Sequence, residues 1–453
     1  MTEATGVVQN PSGRRLPGWL RPIADATSAL LDRARGLLAT AEIDTRLVGM
    51  FAALAIIWIL FNIVSDGLFL TPRNLWNLSV QTSSIGIMAT GMVLIIVSRN
   101  IDLSIGSILG FTGYAMVMLQ AIWLPTTLGL GLNQPWYWVV ALAFGIALGA
   151  LIGAFQGVII SYLKVPAFIV TLGGLLVWRG LIFELQSGQT IAPVDPTFRL
   201  LGGGPTGSIG DTGSLIFGLI ACLGIVATLI AGRRRRAKYG FPLRPIWAEI
   251  TIAVVGCAAV IGFVWVANSY PWPSQLATQY AQEHNITEPP GGLQIATGIA
   301  YPVFILIGVT LVMTFVATRL RFGRYVFAIG GNPDAAELGG INTRRILMLT
   351  FVVMGILAAI SAAIQTARLN SGVTSLGVQN ELDVIAAAVI GGTSFAGGIG
   401  TIPGAVLGAV VMQSLRSGMV LIRVDSPVQD IVVGTVLVLA VGLDTFIRRR
   451  SSR

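Results

Sequence analysis

The sequence predicts an all-α protein, a polytopic membrane helix bundle of about 10–12 spans with room for re-entrant segments. Three observations point there. Charged residues make up 11% of the 453, against roughly 25% in an ordinary soluble domain. Hydrophobic residues reach 54%, with a mean hydropathy of +0.80. Apolar runs of about 20 residues, the length that crosses ~30 Å of hydrocarbon, recur along the whole chain. So few charges cannot cover the surface of a soluble protein of this length.

Taken in order, the chain opens with a polar arm, 1–46, which carries Arg14, Arg15, Arg21, Arg33, Arg35 and Arg46 and no signal-peptide pattern. Within it, 23–40 reads as a short amphipathic helix on the inner membrane face. A transmembrane domain, 47–447, follows, with spans expected at 47–64, 78–98, 104–124, 136–160, 166–186, 214–231, 246–267, 296–317, 346–367 and 428–447. The Gly- and Ala-rich stretch 384–421 fits either one span plus a re-entrant piece or two short spans. A short tail, 448–453, ends the chain.

Basic residues accumulate on the cytoplasmic side of a membrane. With the N-terminus inside, 23 of the 29 Lys and Arg residues fall there. They include Arg99, Lys164, the run 233–236 and the loop 318–345, and both termini are then cytoplasmic. The opposite orientation violates the bias at nearly every loop. On the outer side, Trp76, Trp123, Trp136, Trp138, Trp265, Tyr270 and Trp272 stand near span ends, as interfacial aromatics do.

The net charge of +9 is therefore a topology signal and not a sign of nucleic acid. Cys222 and Cys257 lie in apolar stretches and read as packing residues. A single histidine, His284, in a polar loop leaves no basis for a metal cluster, and no nucleophile and base stand together as a catalytic pair. Gly202, Gly204 and Gly207 match the dinucleotide spacing, but Pro205 interrupts them and no strand flanks them. The run from Gly391 to Gly398 lacks the Lys of a phosphate-binding P-loop. No cofactor site is expected. Ionisable residues within the spans are few, which argues against proton or sodium coupling.

Polar residues set in apolar surroundings mark two places. One is Asn100-Ile101-Asp102-Leu103-Ser104-Ile105-Gly106-Ser107; the other is 388–398, with Thr393 and Ser394. Irregular backbone at membrane depth survives only where protein buries it or a cavity meets it. Asp102, Ser104, Thr393 and Ser394 are thus candidates for a solute path, with tight helix turns as the competing explanation. Gly145, Gly149, Gly153 and Gly157 recur every fourth residue, a spacing shared by Gly106 and Gly110 and by Gly404 and Gly408. Small residues at that spacing let backbones approach closely. Packing within one bundle is favoured over a subunit interface. In the loop 318–345, Asn332-Pro333 starts a short helix and Gly339-Gly340 ends it. Flanked by arginines, it has the form of a docking knob for a soluble partner.

Several of these segments resemble the permeases of ribose/xylose-type ABC sugar importers. They are Gly91-Met92-Val93 with 101–107, Val165-Pro166-Ala167-Phe168-Ile169-Val170-Thr171-Leu172, Arg179-Gly180, the loop 330–342 and the stretch 386–404. The resemblance runs in order from about Asp66 to Asp444, and the long segment between Gln189 and Leu293 looks most like the D-xylose branch. It implies a membrane-spanning subunit of the bacterial inner membrane that pairs with a second copy of itself. The implied partners are a cytoplasmic ATP-binding subunit, which uses the ATP, and an external sugar-binding protein. ABC permeases carry a coupling helix of the form Glu-Ala-Ala, three residues, Gly. Asp334-Ala335-Ala336 followed by Gly340 fits that form with Asp in place of Glu, so these four residues are the implied ATPase-docking site. A permease for a non-sugar solute and an ion-coupled carrier are the alternatives.

Overall fold

The computed structural model describes residues 45–451 apart from 132, 186, 288, 290 and 291, with side chains described for 48–442. The amphipathic segment expected at 23–40 lies outside these residues. The helices in chain order are α1 (Thr45–Val64), α2 (Pro72–Val97), α3 (Ile105–Met118), α4 (Tyr137–Ser161), α5 (Ala167–Leu185) and the short α6 (Pro196–Arg199). Then come α7 (Gly210–Lys238), α8 (Ile246–Asn268), α9 (Ser274–Glu283), α10 (Tyr301–Arg319), α11 (Arg321–Gly331) and α12 (Pro333–Leu338). The last four are α13 (Thr343–Leu369), α14 (Asn380–Ile390), α15 (Ile402–Leu421) and α16 (Ser426–Ser451). Among the described residues there is no strand, only isolated bridges. Nine helices among them are long and apolar enough to cross a membrane, and the shorter apolar stretches Val48–Val64 and Ser426–Gly442 extend α1 and α16 beside them.

The centre of the bundle is α2. Its apolar stretch is 94% buried, whereas those of α7 and α8 are 6% and 11% buried and form a peripheral hairpin. A helix apolar on every side belongs either in a core or in lipid, and α2 takes the core. Two of its small hydroxyls bond within the helix: Ser83 Oγ donates to Ser79 O at 2.8 Å and Thr90 Oγ1 to Ile87 O at 2.7 Å. Trp76, expected at the membrane interface, is buried instead, its indole N–H donating to Gly298 O at 2.8 Å.

The glycine stripe of α4 faces α13, so it packs the bundle internally. A Cβ at Gly149 would lie 2.3 Å from Gly355 O, and one at Gly153 would lie 2.2 Å from Phe351 O. Backbones this close exclude any side chain. A Cβ at Gly404 or Gly408 would likewise fall 2.2 Å from Gly391 O or 2.0 Å from Ala387 O, where α14 and α15 join.

Stretch 384–421 folds as two helical pieces, the short α14 and the longer α15, joined by a turn. The 11 residues of α14 rise only about 16 Å, half a bilayer core. The chain then turns at Gly392, Gly397 and Gly398, all at positive φ, and restarts at Thr401, whose hydroxyl accepts from Gly404 N at 3.2 Å. Three span boundaries differ from expectation by five residues or more, and α2 is one of them, beginning at Pro72 and not at 78. Helix α10 starts at Tyr301 because the chain before it pairs with neighbouring segments, Gly298 with Gly210 and Ala296 with Pro271. Helix α7 runs past its apolar stretch to Lys238, where Arg233 meets Glu249 at 3.0 Å. Cys222 and Cys257 face each other across α7 and α8, each Sγ 4.0 Å from the other's carbonyl oxygen.

Candidate functional site

Helix α12 forms for local reasons. The Asn332 side chain accepts from Ala335 N at 3.0 Å, Pro333 occupies the first turn with Asp334, and Gly340 at φ 81° closes the end. Asp334, Ala335 and Gly340 are exposed, while Ala336 is buried beneath the helix at 6%. Leu338 is 91% exposed, the most exposed large apolar side chain among the described residues. Of the four residues singled out from the sequence, three therefore face outward and Ala336 anchors the helix. Leu338 was overlooked, although its place between Glu337 and Gly339 at the end of a capped turn already put it on display.

This helix is fastened to the bundle at one point. The Arg99 guanidinium donates to Gly330 O and Gly331 O, both at 2.8 Å, capping the end of α11. Gly398 N donates to Val97 O at 3.0 Å, and a Cβ at Gly330 would lie 1.8 Å from that same carbonyl oxygen. The end of α2, the end of α11 and the turn after α14 thus meet at one junction. Thr393 and Ser394 sit in that turn, both buried; Ser394 Oγ accepts from Ala396 N at 3.2 Å, and Thr393 Oγ1 has no partner.

Asp102 and Ser104 stand at a different junction. Both are buried; Asp102 accepts from Ser104 N at 2.9 Å and from Ser104 Oγ at 2.6 Å, and that hydroxyl lies 3.0 Å from Gln156 Oε1 of α4. The four residues named from sequence therefore occupy two separate helix junctions, and none of them lines the polar cavity.

That cavity, about 220 Å³, is bounded by α2, α13, α14 and α15. The volume lies below the ~300 Å³ at which drug-sized ligand sites begin, which suits a small solute. Each helix contributes a polar pair three residues apart: Gln81 and Ser84, Gln365 and Arg368, Asn380 and Asp383, Gln413 and Arg416. Most of these groups hold one another. Gln413 Nε2 donates to Gln81 Oε1 at 2.7 Å, and Gln365 Nε2 to Ser84 Oγ at 2.8 Å. Arg416 Nε lies 2.6 and 2.8 Å from the two carboxylate oxygens of Asp383. The Asn380 amide nitrogen is left without a protein partner. Beside this ion pair and Arg368, the lining supplies four side-chain amides and one hydroxyl, groups that hydrogen-bond a small polar solute. Sequence reasoning missed it, though polar pairs at i and i+3 on otherwise apolar helices were the available signal.

The model of the family described as branched-chain amino acid transport system / permease component matches residues 74–441. The chain is 36% identical over 396 residues to the xylose transport system permease protein XylH of Haemophilus influenzae, covering 87% of this chain and 95% of that protein. It is 36% identical over 402 residues to XylH of Escherichia coli K12, covering 89% and 92%. It is 31% identical over 376 residues to the ribose import permease protein RbsC of E. coli K12, covering 83% and 87%. No solved structure matches the chain.

Proposed function

Because the chain belongs to the branched-chain amino acid transport system / permease component family, we propose that it is the membrane-spanning subunit of an ATP-driven importer for a monosaccharide, xylose or another pentose. The named transport of xylose and ribose by its relatives supports the sugar, as does a cavity lined by four side-chain amides. ATP is bound and hydrolysed by a separate cytoplasmic subunit. An external binding protein delivers the sugar, and a second copy of the chain completes the assembly in the bacterial inner membrane. Both termini lie in the cytoplasm, the side that receives Arg99, the run 233–236 and α12.

The observation that carries the reading is α12: a capped helix with a bare leucine, following directly on α11, whose end Arg99 holds beside the buried central helix. Closure of the ATPase pair moves α12, the movement enters α2 and the turn after α14, and the cavity between those helices changes its access. The nucleotide drives this only through its different affinity for the two states.

Two measurements test the proposal. The tagged chain, solubilised in mild detergent from its native membrane, should bring down an ATP-binding subunit. Reconstituted with that subunit and the binding protein, it should accumulate xylose on ATP addition and persist in doing so after ion gradients are dissipated. Uptake that needs no ATPase and collapses with the gradient would establish an ion-coupled carrier instead.

A further inference from the structure

At the end of the bundle opposite α12, an open groove of about 590 Å³ lies between the start of α7, helix α9 and two extended segments. Backbone pairing builds its floor: Ser208 with Ala300, Gly210 with Gly298, Pro271 with Ala296. Trp272 N donates to Ile295 O at 2.8 Å and Thr297 N to Tyr270 O at 2.9 Å, so the groove has fixed walls. One wall is aromatic. Trp272 and Tyr280 meet edge to face with ring centres 5.7 Å apart, and His284 stacks on Tyr280 at 4.0 Å. Asp211, Gln279 and Glu283 add polar groups at the exposed rim.

Two groups within it lack protein partners: the hydroxyl of Thr297, a fully buried residue, and the indole N–H of Trp272. Buried polar groups in native proteins are nearly always paired, and an exception calls for a water, an ion or a ligand. No Lys or Arg lines the groove, so it is a poor site for an anion. An apolar solute would leave both of these buried donors unsatisfied.

We propose that this groove is an outer binding subsite for a monosaccharide, held in its ring form beside the peripheral hairpin of α7 and α8. The inference rests on the sugar-transport reading above and adds a site to it. The C–H face of a sugar ring is apolar and lies flat on an aromatic wall. Its hydroxyls are donors that carboxylates accept and acceptors that Thr297 Oγ–H and Trp272 Nε1–H satisfy. A few placed polar groups on a largely apolar wall are the usual composition of a small-molecule site.

The test is saturation-transfer NMR on the purified chain in nanodiscs, with D-xylose at millimolar concentration as the sole ligand. Transfer to the sugar C–H protons is expected, with an apparent affinity about tenfold weaker, about 1.4 kcal/mol, in the double variant Gln279→Ala/Glu283→Ala. Trp272→Phe, which keeps a ring and loses the N–H, should weaken it in the same direction. The cavity variant Gln413→Leu should retain the groove signal. Unchanged transfer in both groove variants, or loss only in Gln413→Leu, overturns the subsite. Choline binding in the groove with no xylose transfer also overturns it, in favour of a cation site. ATP-driven uptake by the wild-type complex is assayed in parallel. Uptake without groove-dependent transfer sinks the subsite alone, and groove-dependent transfer without uptake of any sugar sinks the transport reading alone.

Discussion

Leu338 and Arg416 show how much one side chain decides here. Leu338→Asp should leave membrane insertion and thermal stability unchanged, because the residue is 91% exposed, and should abolish both recovery of the ATP-binding subunit and sugar uptake. Co-purification of that variant with a full complement of ATPase would place the docking contact elsewhere. Ala336→Trp should also stop uptake, by a different route: Ala336 is buried, so the bulky ring lifts α12 off the bundle. For the ion pair, Arg416→Ala strands the buried Asp383 carboxylate, and breaking such a pair costs about 3–5 kcal/mol. The double variant Asp383→Asn/Arg416→Met should regain most of that stability, read as the unfolding midpoint in detergent. At this scale the sequence is informative where the chemistry is local. Asn332-Pro333 and Gly339-Gly340 mark both ends of α12 within one short loop, whereas Gln81, Gln365 and Gln413 gain meaning only when three distant helices are brought together.

Between elements, the contacts are backbone against backbone. Gly153→Val has no space, since a Cβ already falls 2.2 Å from Phe351 O; α4 must move off α13, and overpacking costs about 1–3 kcal/mol or more. Gly173→Ala, on α5, meets nothing within 4 Å and should be neutral. Equal unfolding midpoints for the two variants would mean that α4 and α13 do not pack as described. The four-residue spacing makes this face legible in the sequence itself. The start of α10 is not legible there, because hydropathy reports which residues are apolar, and 296–300 are apolar enough while their backbone pairs with 208–210 and 270–271. In the same way, 384–421 has the composition of helix throughout, and its break depends on glycines at positive φ.

For the whole molecule, α12 and the aromatic groove stand at opposite ends of the bundle. Orientation follows from the arginines and is testable directly. In a Cys222→Ser/Cys257→Ser background, Leu338→Cys should react with a membrane-impermeant maleimide in inside-out vesicles and resist it in intact cells. The reverse pattern would invert the topology and, with it, the direction of transport. Fold class and most span positions are legible in the sequence because they are sums over many residues. The cavity is not, because it is defined by where four helices meet.

The all-round burial of α2 bears on how the molecule changes state. A helix with one free side can creep, shifting a little at a time against lipid. One wedged among α10, α13, α14 and α15 has to exchange one complete set of interlocking neighbours for another. Tightly packed interfaces of that kind are bistable and do not deform continuously. The response to nucleotide should then be a snap between two arrangements, with no half-open form in which solute leaks past.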